Sequence, residues 1–499
     1  MKRKNIQFLF IGFVFVFFSC TKEKTLEIPA SGYPPEIENI IVPTCATIGC
    51  HTPNDKEAAG GLALDTWKHL FEGGRGGAVV IPYRADQSWL CYYINTFDDL
   101  GIQLNPTMPF STYGNEKQPL SRAEVETIFN WINQGAPDAN DCIAFTGQPG
   151  RNKFYVANQG CDLVTVFDIN SKLAMRYVDV GVSSLIESPH NIRVSPDGKY
   201  WYVIFAQSNV IQKFDAETDE LIASCGIKQG SWNVFTISAD GSKAFIADWQ
   251  ANGRIAYVDL EIMDTISYIQ GNGLLINPHG IIASQDFNTL YVTAEQGNYL
   301  YKVDLTDIDF PEVSTVSLYD PPQPALNDFS LRPHDFIFSP DFSKLYVTCQ
   351  ASNEVRVLNT TNDSIIEVIP VGTYPVEFAR SSNYPYLFVT CMEDPCGDPV
   401  CKGSVYVINY ETDQIVTKIQ TKFYQPHGIA VDDVNDLVYV ANRNWDGDGP
   451  TPHHTGACAG NNGFVQFIDM NTLEVLTDLK SEVSIDPYQV AVRNCVDCL

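Results

Sequence analysis

The sequence predicts a multidomain chain: a small all-α domain followed by an all-β seven-bladed propeller. Three observations carry that expectation. A Pro-His motif recurs through residues 150–499, and each recurrence opens the same pattern of strands and turns. The composition changes once, near residue 145, from glycine turns and a capped amphipathic run to aromatic and β-branched runs. The 499 residues are enough for two or three domains.

The chain opens with a targeting segment over residues 1–20. Lys2, Arg3 and Lys4 precede an apolar run from Phe8 to Phe18, too short for a bilayer span of about 20 residues. It ends in Phe18-Ser19-Cys20 and then the polar run Thr21-Lys22-Glu23-Lys24. A small residue directly before a cysteine resembles a bacterial lipoprotein signal, which implies Cys20 as the lipidated residue, with residues 21–35 as a tether. An exported, lipid-anchored protein facing the periplasm or cell surface is expected. The 14 cysteines suit an oxidising compartment. A formal charge of −28 excludes nucleic acid as a partner and favours a basic one.

The next domain is organised around Pro43-Thr44-Cys45-Ala46-Thr47-Ile48-Gly49-Cys50-His51. Two cysteines followed at once by histidine form the attachment pattern of a c-type haem: each thiol adds across a vinyl group, and the histidine is tethered beside the iron. The usual gap is two residues; here it is four. A small Cys45–Cys50 disulfide loop is the alternative. Tyr33 to Val42 reads as the end of a first helix. The turns Gly60-Gly61 and Gly73-Gly74-Arg75-Gly76-Gly77 suit close backbone approach to a flat ligand. Ser121-Arg122-Ala123-Glu124 is a capping box, Val125, Ile128, Phe129 and Ile132 follow at helical spacing, and Gly135 stops the helix. Asn105-Pro106-Thr107-Met108-Pro109 holds a methionine between prolines, a candidate sixth iron ligand or a buried gap-filler. His69 competes for that role.

This order resembles the planctomycete-type single-haem cytochrome c family. The resemblance rests on the haem cysteines, Gly60–Asp65, Val79–Pro82, Met108-Pro109 and Trp131-Ile132-Asn133-Gln134-Gly135-Ala136-Pro137, and covers about residues 36–140. It implies a cytochrome c-like domain over residues 36–142 with one c-type haem, bonded to Cys45 and Cys50 and ligated by His51 and Met108. The cysteine gap departs from the family pattern.

In the second region the repeat begins at residues 189, 231, 278, 333, 375, 426 and 487. Pro189-His190, Pro278-His279, Pro333-His334 and Pro426-His427 are the clear copies; Ser231-Trp232, Pro375-Val376 and Pro487-Tyr488 are degenerate. Each is followed by a polar turn, an aromatic–β-branched strand such as Leu345-Tyr346-Val347-Thr348, and two further strands. Four strands per unit make a propeller blade. Residues 154–158 begin at a second strand whose first is missing, and residues 487–493 supply that first strand at the other end of the chain. Joining them gives seven blades over 150–499 and removes the free edges. The Tyr-Val-Thr-Asn-like strands resemble the YVTN family of propellers, a resemblance of fold.

His190, His279, His334 and His427 open four innermost strands, where Trp232, Val376 and Tyr488 stand in the others. Four imidazoles at one channel mouth form either a transition-metal site or a polar lining. The loop Trp445 to His454 offers carboxylates and histidines but reads as solvated. Cys396 with Cys401, Cys161 with Cys458, and Cys91 with Cys142 are the candidate disulfides, while Cys495 and Cys498 lack a thioredoxin-like context. The expected function is one-electron transfer through the haem, with the propeller as a docking or substrate platform for a redox partner. The alternatives are an oxidoreductase with a second centre at the histidines, and a haem-free surface scaffold.

Overall fold

The structure is a computed structural model and describes residues 30–111, 117–148, 150–271, 273–397, 401–444, 458, 463–477 and 479–493. Cys20 with the targeting segment, the loop at 445–454, and Cys495 with Cys498 lie outside the described residues.

The N-terminal part is helical because its apolar residues recur at helical spacing between capping sequences. Helix Pro35–Thr44 starts with proline at N1 and Glu36 and Glu38 in its first turn, and buries Ile37, Ile40 and Ile41. Helix Arg122–Asn133 carries the capping box: the Glu124 N–H donates to Ser121 Oγ and the Ser121 N–H to the Glu124 carboxylate. It buries Val125, Ile128, Trp131 and Ile132, and Gly135 leaves it at φ 101°. Short helices Trp67–Leu70 and Trp89–Ile94 complete one apolar cluster that joins Ile41, Leu64, Leu70, Leu90, Val125 and Ile132. The expected Cys91–Cys142 tie does not form. Cys91 is on the core face of Trp89–Ile94, whereas Cys142 is exposed on a turn whose N–H donates to Asp138, and both are free thiols.

From residue 153 the described residues form seven antiparallel sheets. Their innermost strands are Pro189–Val194, Trp232–Ile237, Pro278–Ala283, Pro333–Phe338, Pro375–Arg380, Pro426–Asp432 and Pro487–Arg493, each touching the next around a closed ring. The last closes it: Pro487–Arg493 pairs with Lys153–Asn158, Tyr155 opposite Ala491. Six sheets have four strands; the one begun by Pro426–Asp432 adds Ser481–Val483. A repeated turn follows four inner strands: Ser195, Ser238, Ser284 and Ser339 each donate at 2.6 Å to the aspartate two residues on. Cys161–Cys458 and Cys396–Cys401 are disulfide-bonded.

The helical domain is docked across the ring-closing blade and the neighbouring blade begun by Pro426–Asp432. Val80 belongs to the helical core while its neighbour Ile81 belongs to the core shared by those blades. Glu482 N–H donates to the Gly76 carbonyl at 3.0 Å, and Arg84 reaches Asp179 at 3.2 Å. Gly77, at φ 98°, is in the left-handed region that favours glycine, and the Ser481 backbone lies 3.2 Å from where a Cβ would stand. The Gly73–Gly77 turn therefore serves close approach to the propeller backbone. No described helix is long and apolar enough to cross a membrane.

Candidate functional site

Two constellations of chemistry-bearing residues stand out, one in each domain. The first begins where helix Pro35–Thr44 ends. Cys45 N–H continues the helical pattern onto the Ile41 carbonyl at 2.8 Å, placing Cys45 in the apolar core. The chain then turns, with Cys50 N–H donating to Thr47 O at 3.0 Å and His51 N–H to Cys45 O at 3.2 Å. This loop returns His51 directly over Cys45. The His51 carbonyl accepts from Leu64 N–H at 2.9 Å, so both edges of the residue are pinned.

The imidazole is pinned as well. His51 Nδ1 lies 3.1 Å from the Leu62 carbonyl oxygen. A carbonyl only accepts, so Nδ1 carries the proton and Nε2 keeps its lone pair for a metal. Burial lowers the His51 pKa, which keeps that lone pair available. Cys45 and Cys50 are free thiols, so the small disulfide loop is not formed. Burial pushes the Cys45 thiol up to about 12, and Cys50 beside it adds to the rise. A thiol held neutral does not serve as a thiolate metal ligand.

Met108 packs against the same apolar cluster as Cys45, as does Leu62, the residue that holds His51. Its N–H donates to Tyr93 O at 2.8 Å. Thr47 Oγ1, inside the loop, is buried and has no hydrogen-bond partner. His69 Nδ1 lies 2.7 Å from Asp65, beside a cleft of about 460 Å³ lined also by Lys56, Glu72 and Arg75, and His69 is not part of the cluster that holds Cys45 and Met108. Two thiols, an oriented imidazole, a thioether at the same core and an unfilled hydroxyl form a donor set that fits a covalently attached haem.

The second constellation lies inside the propeller. His190, His279, His334 and His427 are all buried, and their rings form a closed circuit with Tyr488. Centroids are 5.9 Å apart for His190–His279, 4.2 Å for His279–His334 and 5.7 Å for His334–His427. His427–Tyr488 at 3.8 Å and Tyr488–His190 at 4.2 Å complete it. Blades lacking a histidine are spanned, because the inner strands converge at the axis. The strand register corrects one alignment. Trp232 opposes Asp248 just as Pro278 opposes Ala294, so Asn233, not Trp232, stands where the histidines do.

Glu377 completes this cluster and is absent from the sequence reading. Its Oε2 accepts from Gln489 Nε2 at 3.1 Å, and its Oε1 lies 4.0 Å from His427 Nδ1. Burial, with Asp335 adding to it, pushes its carboxyl well above the usual range. Burial likewise holds His190, His334 and His427 well below the ordinary imidazole value.

Comparison with known proteins bears on each domain separately. Residues 48–102 match the family model for Planctomycete cytochrome C. The match includes Cys50, His51, the Gly60–Asp65 turn and Val79–Pro82, and stops short of Met108. No curated protein matches the chain. Among solved structures, a functionally unknown protein from Desulfotomaculum acetoxidans is similar at TM-score 0.50 and 11% identity, over 67% of this chain and 99% of that one. Kuenenia stuttgartiensis hydrazine synthase is similar at TM-score 0.48 and 16% identity, over 63% of this chain and 92% of that chain. A cytochrome c-like segment is thus joined to a seven-bladed propeller.

Proposed function

We propose that this chain is an exported, lipid-anchored c-type haem protein that transfers single electrons, with the propeller as a docking or substrate-binding platform. The observation that carries the reading is the His51 imidazole, oriented by the Leu62 carbonyl at 3.1 Å in the loop that carries Cys45 and Cys50. Cys45 and Cys50 would hold the haem covalently, and His51 Nε2 and Met108 Sδ would be its axial donors. The haem supplies reversible one-electron chemistry at its iron. The protein's part is to fix the ligands: the Leu62 carbonyl sets the imidazole tautomer, and the apolar core holds Cys45 and packs against Met108. Glu482 to Gly76 and Arg84 to Asp179 hold this domain to the propeller, so a partner docked on the propeller meets a fixed haem position. The net charge of −28 favours a basic redox protein steered by long-range attraction. Cys20 would anchor the chain by lipid to a membrane facing the periplasm or cell surface.

The test is a potentiometric titration of protein made in a haem-maturing host. A single one-electron wave with a low-spin spectrum is expected, and His51→Ala should lose that spectrum. An unaltered spectrum in His51→Ala would remove the ligand assignment.

A further inference from the structure

We propose that His334, His427 and Glu377 form a binding site for one divalent first-row transition-metal ion on the axis of the propeller. Three observations point to it, and none depends on the haem.

The first is proximity. One donor atom from each of the three residues lies within 4.8 Å of a donor from each of the others, and all three residues are buried. Metal–nitrogen bonds of about 2.0–2.1 Å place two ligands of one ion up to about 4 Å apart. The triad's 4.8 Å spread is somewhat wider than that, so side-chain rotation is needed to close it on one ion.

The second is unfilled hydrogen-bonding capacity. His334 is only 4% exposed, yet neither Nδ1 nor Nε2 has a partner. A buried imidazole with two orphan nitrogens carries a desolvation cost that a ligand there would remove. His190 Nε2 is likewise orphaned, whereas His279 Nδ1 reaches the His334 carbonyl at 3.4 Å.

The third is orientation from behind. His427 Nδ1 lies 3.0 Å from the Tyr488 carbonyl, which fixes the proton on Nδ1 and leaves Nε2 as the basic nitrogen. Glu377 Oε2 is held by Gln489, leaving Oε1 toward the histidines. Backing contacts of this kind are what a metal ligand needs. Tyr488 and Gln489 are consecutive on the ring-closing strand, so one segment positions two of the three donors.

Imidazole nitrogens select zinc, copper, nickel or iron over calcium and magnesium, which take oxygen ligands. Three protein donors fall one short of a tetrahedral shell, so a position remains for water or a small substrate. Asp335 and Arg193 lie beside Glu377, Arg332 acts on His334 and Arg443 on His427. A bound ion would displace the proton from the Glu377 carboxyl, and the resulting carboxylate would offset one of its two charges.

The experiment uses the full-length, untagged haem protein. It is stripped with chelator, loaded with one equivalent of zinc or copper, and dialysed. Non-haem metal is then counted by elemental analysis, with haem iron counted separately from the covalent haem absorbance. One non-haem ion per chain is expected, and the copper form should show nitrogen coupling from imidazole in its electron paramagnetic resonance spectrum. His334→Ala and Glu377→Gln should each weaken binding at least as much as the roughly 10–100-fold typical of losing an outer contact. His51→Ala should leave the channel ion in place, which separates this site from the haem reading. Failure to retain an ion, or retention undiminished in Glu377→Gln, would overturn the proposal. If His334→Ala does not fold, absence of nitrogen coupling in the unaltered protein overturns it equally.

Discussion

At His51, one carbonyl decides what the imidazole can do. With Nδ1 bound to Leu62 O at 3.1 Å, only Nε2 is left for iron, and the tautomer is set before any ligand arrives. Met108 has no comparable device; it is placed by its own N–H on Tyr93 O and by packing against the Cys45 core. Its thioether should therefore set the potential more than the fold. Methionine ligation raises a haem potential, and each tenfold shift in the ferric–ferrous balance is about 59 mV for one electron. Met108→Ala should lower the midpoint by more than that and leave the melting temperature nearly unchanged. A potential that does not move would assign Met108 to the core alone. Glu377 shows why some site residues are not legible in sequence. Pro375-Val376-Glu377-Phe378 sits in register with Pro333-His334-Asp335-Phe336, so valine falls at the histidine position and the acid one residue later. Only the convergence of inner strands brings that acid to the neighbouring imidazoles.

Between blades, the elements are latched by a repeated polar contact. Lys153 and Tyr155 reach Asp219 in the next blade, with Lys153 Nζ 2.8 Å from its carboxylate. Lys344 and Tyr346 do the same to Asp413, and Lys302 and Tyr291 to Asp363. The receiving aspartates sit at φ 62°, 58° and 56°, a left-handed turn position that aspartate tolerates. Lys153 and Asp219 are almost wholly buried, at 2% and 0% side-chain exposure. Lys153→Met should then cost about 3–5 kcal/mol in denaturant unfolding, because it leaves a buried carboxylate with Arg176 as its remaining cation. The serine–aspartate turns give a pH dependence of known sign. Serine and backbone hydrogen bonds lower Asp240 and Asp341 to about 2. A depressed folded pKa stabilises above the unfolded value, and that contribution is lost as pH falls from about 4 through 2. Replacing both by asparagine should flatten the melting-temperature profile in that window, modestly, because both groups are exposed to solvent screening.

For the whole molecule, the repeat fixes seven blades, and the first and last strands of the propeller meet in one of them. Much of this was legible because the period, the Pro-His entry and the aromatic second strand recur in sequence. The capping box over residues 121–124 was equally plain, since capping is local. Long-range choices were less so. The Gly73–Gly77 turn serves the Ser481–Val483 strand of a distant blade, and no local pattern announces that contact. Cys91 and Cys142 remain apart because one lies inside a helix core and the other on an exposed turn, which spacing does not reveal. The proposed function joins a domain that presents thiols and an oriented imidazole to a propeller proposed as its docking surface. That account stands on covalent haem at Cys45 and Cys50. The measurement that tests it most directly is a reduced-minus-oxidised visible spectrum after denaturation and extraction of non-covalent haem. A surviving haem signal, lost when both cysteines are changed to alanine, is the result predicted here. Protein from a haem-maturing host that loses all signal on extraction would contradict it.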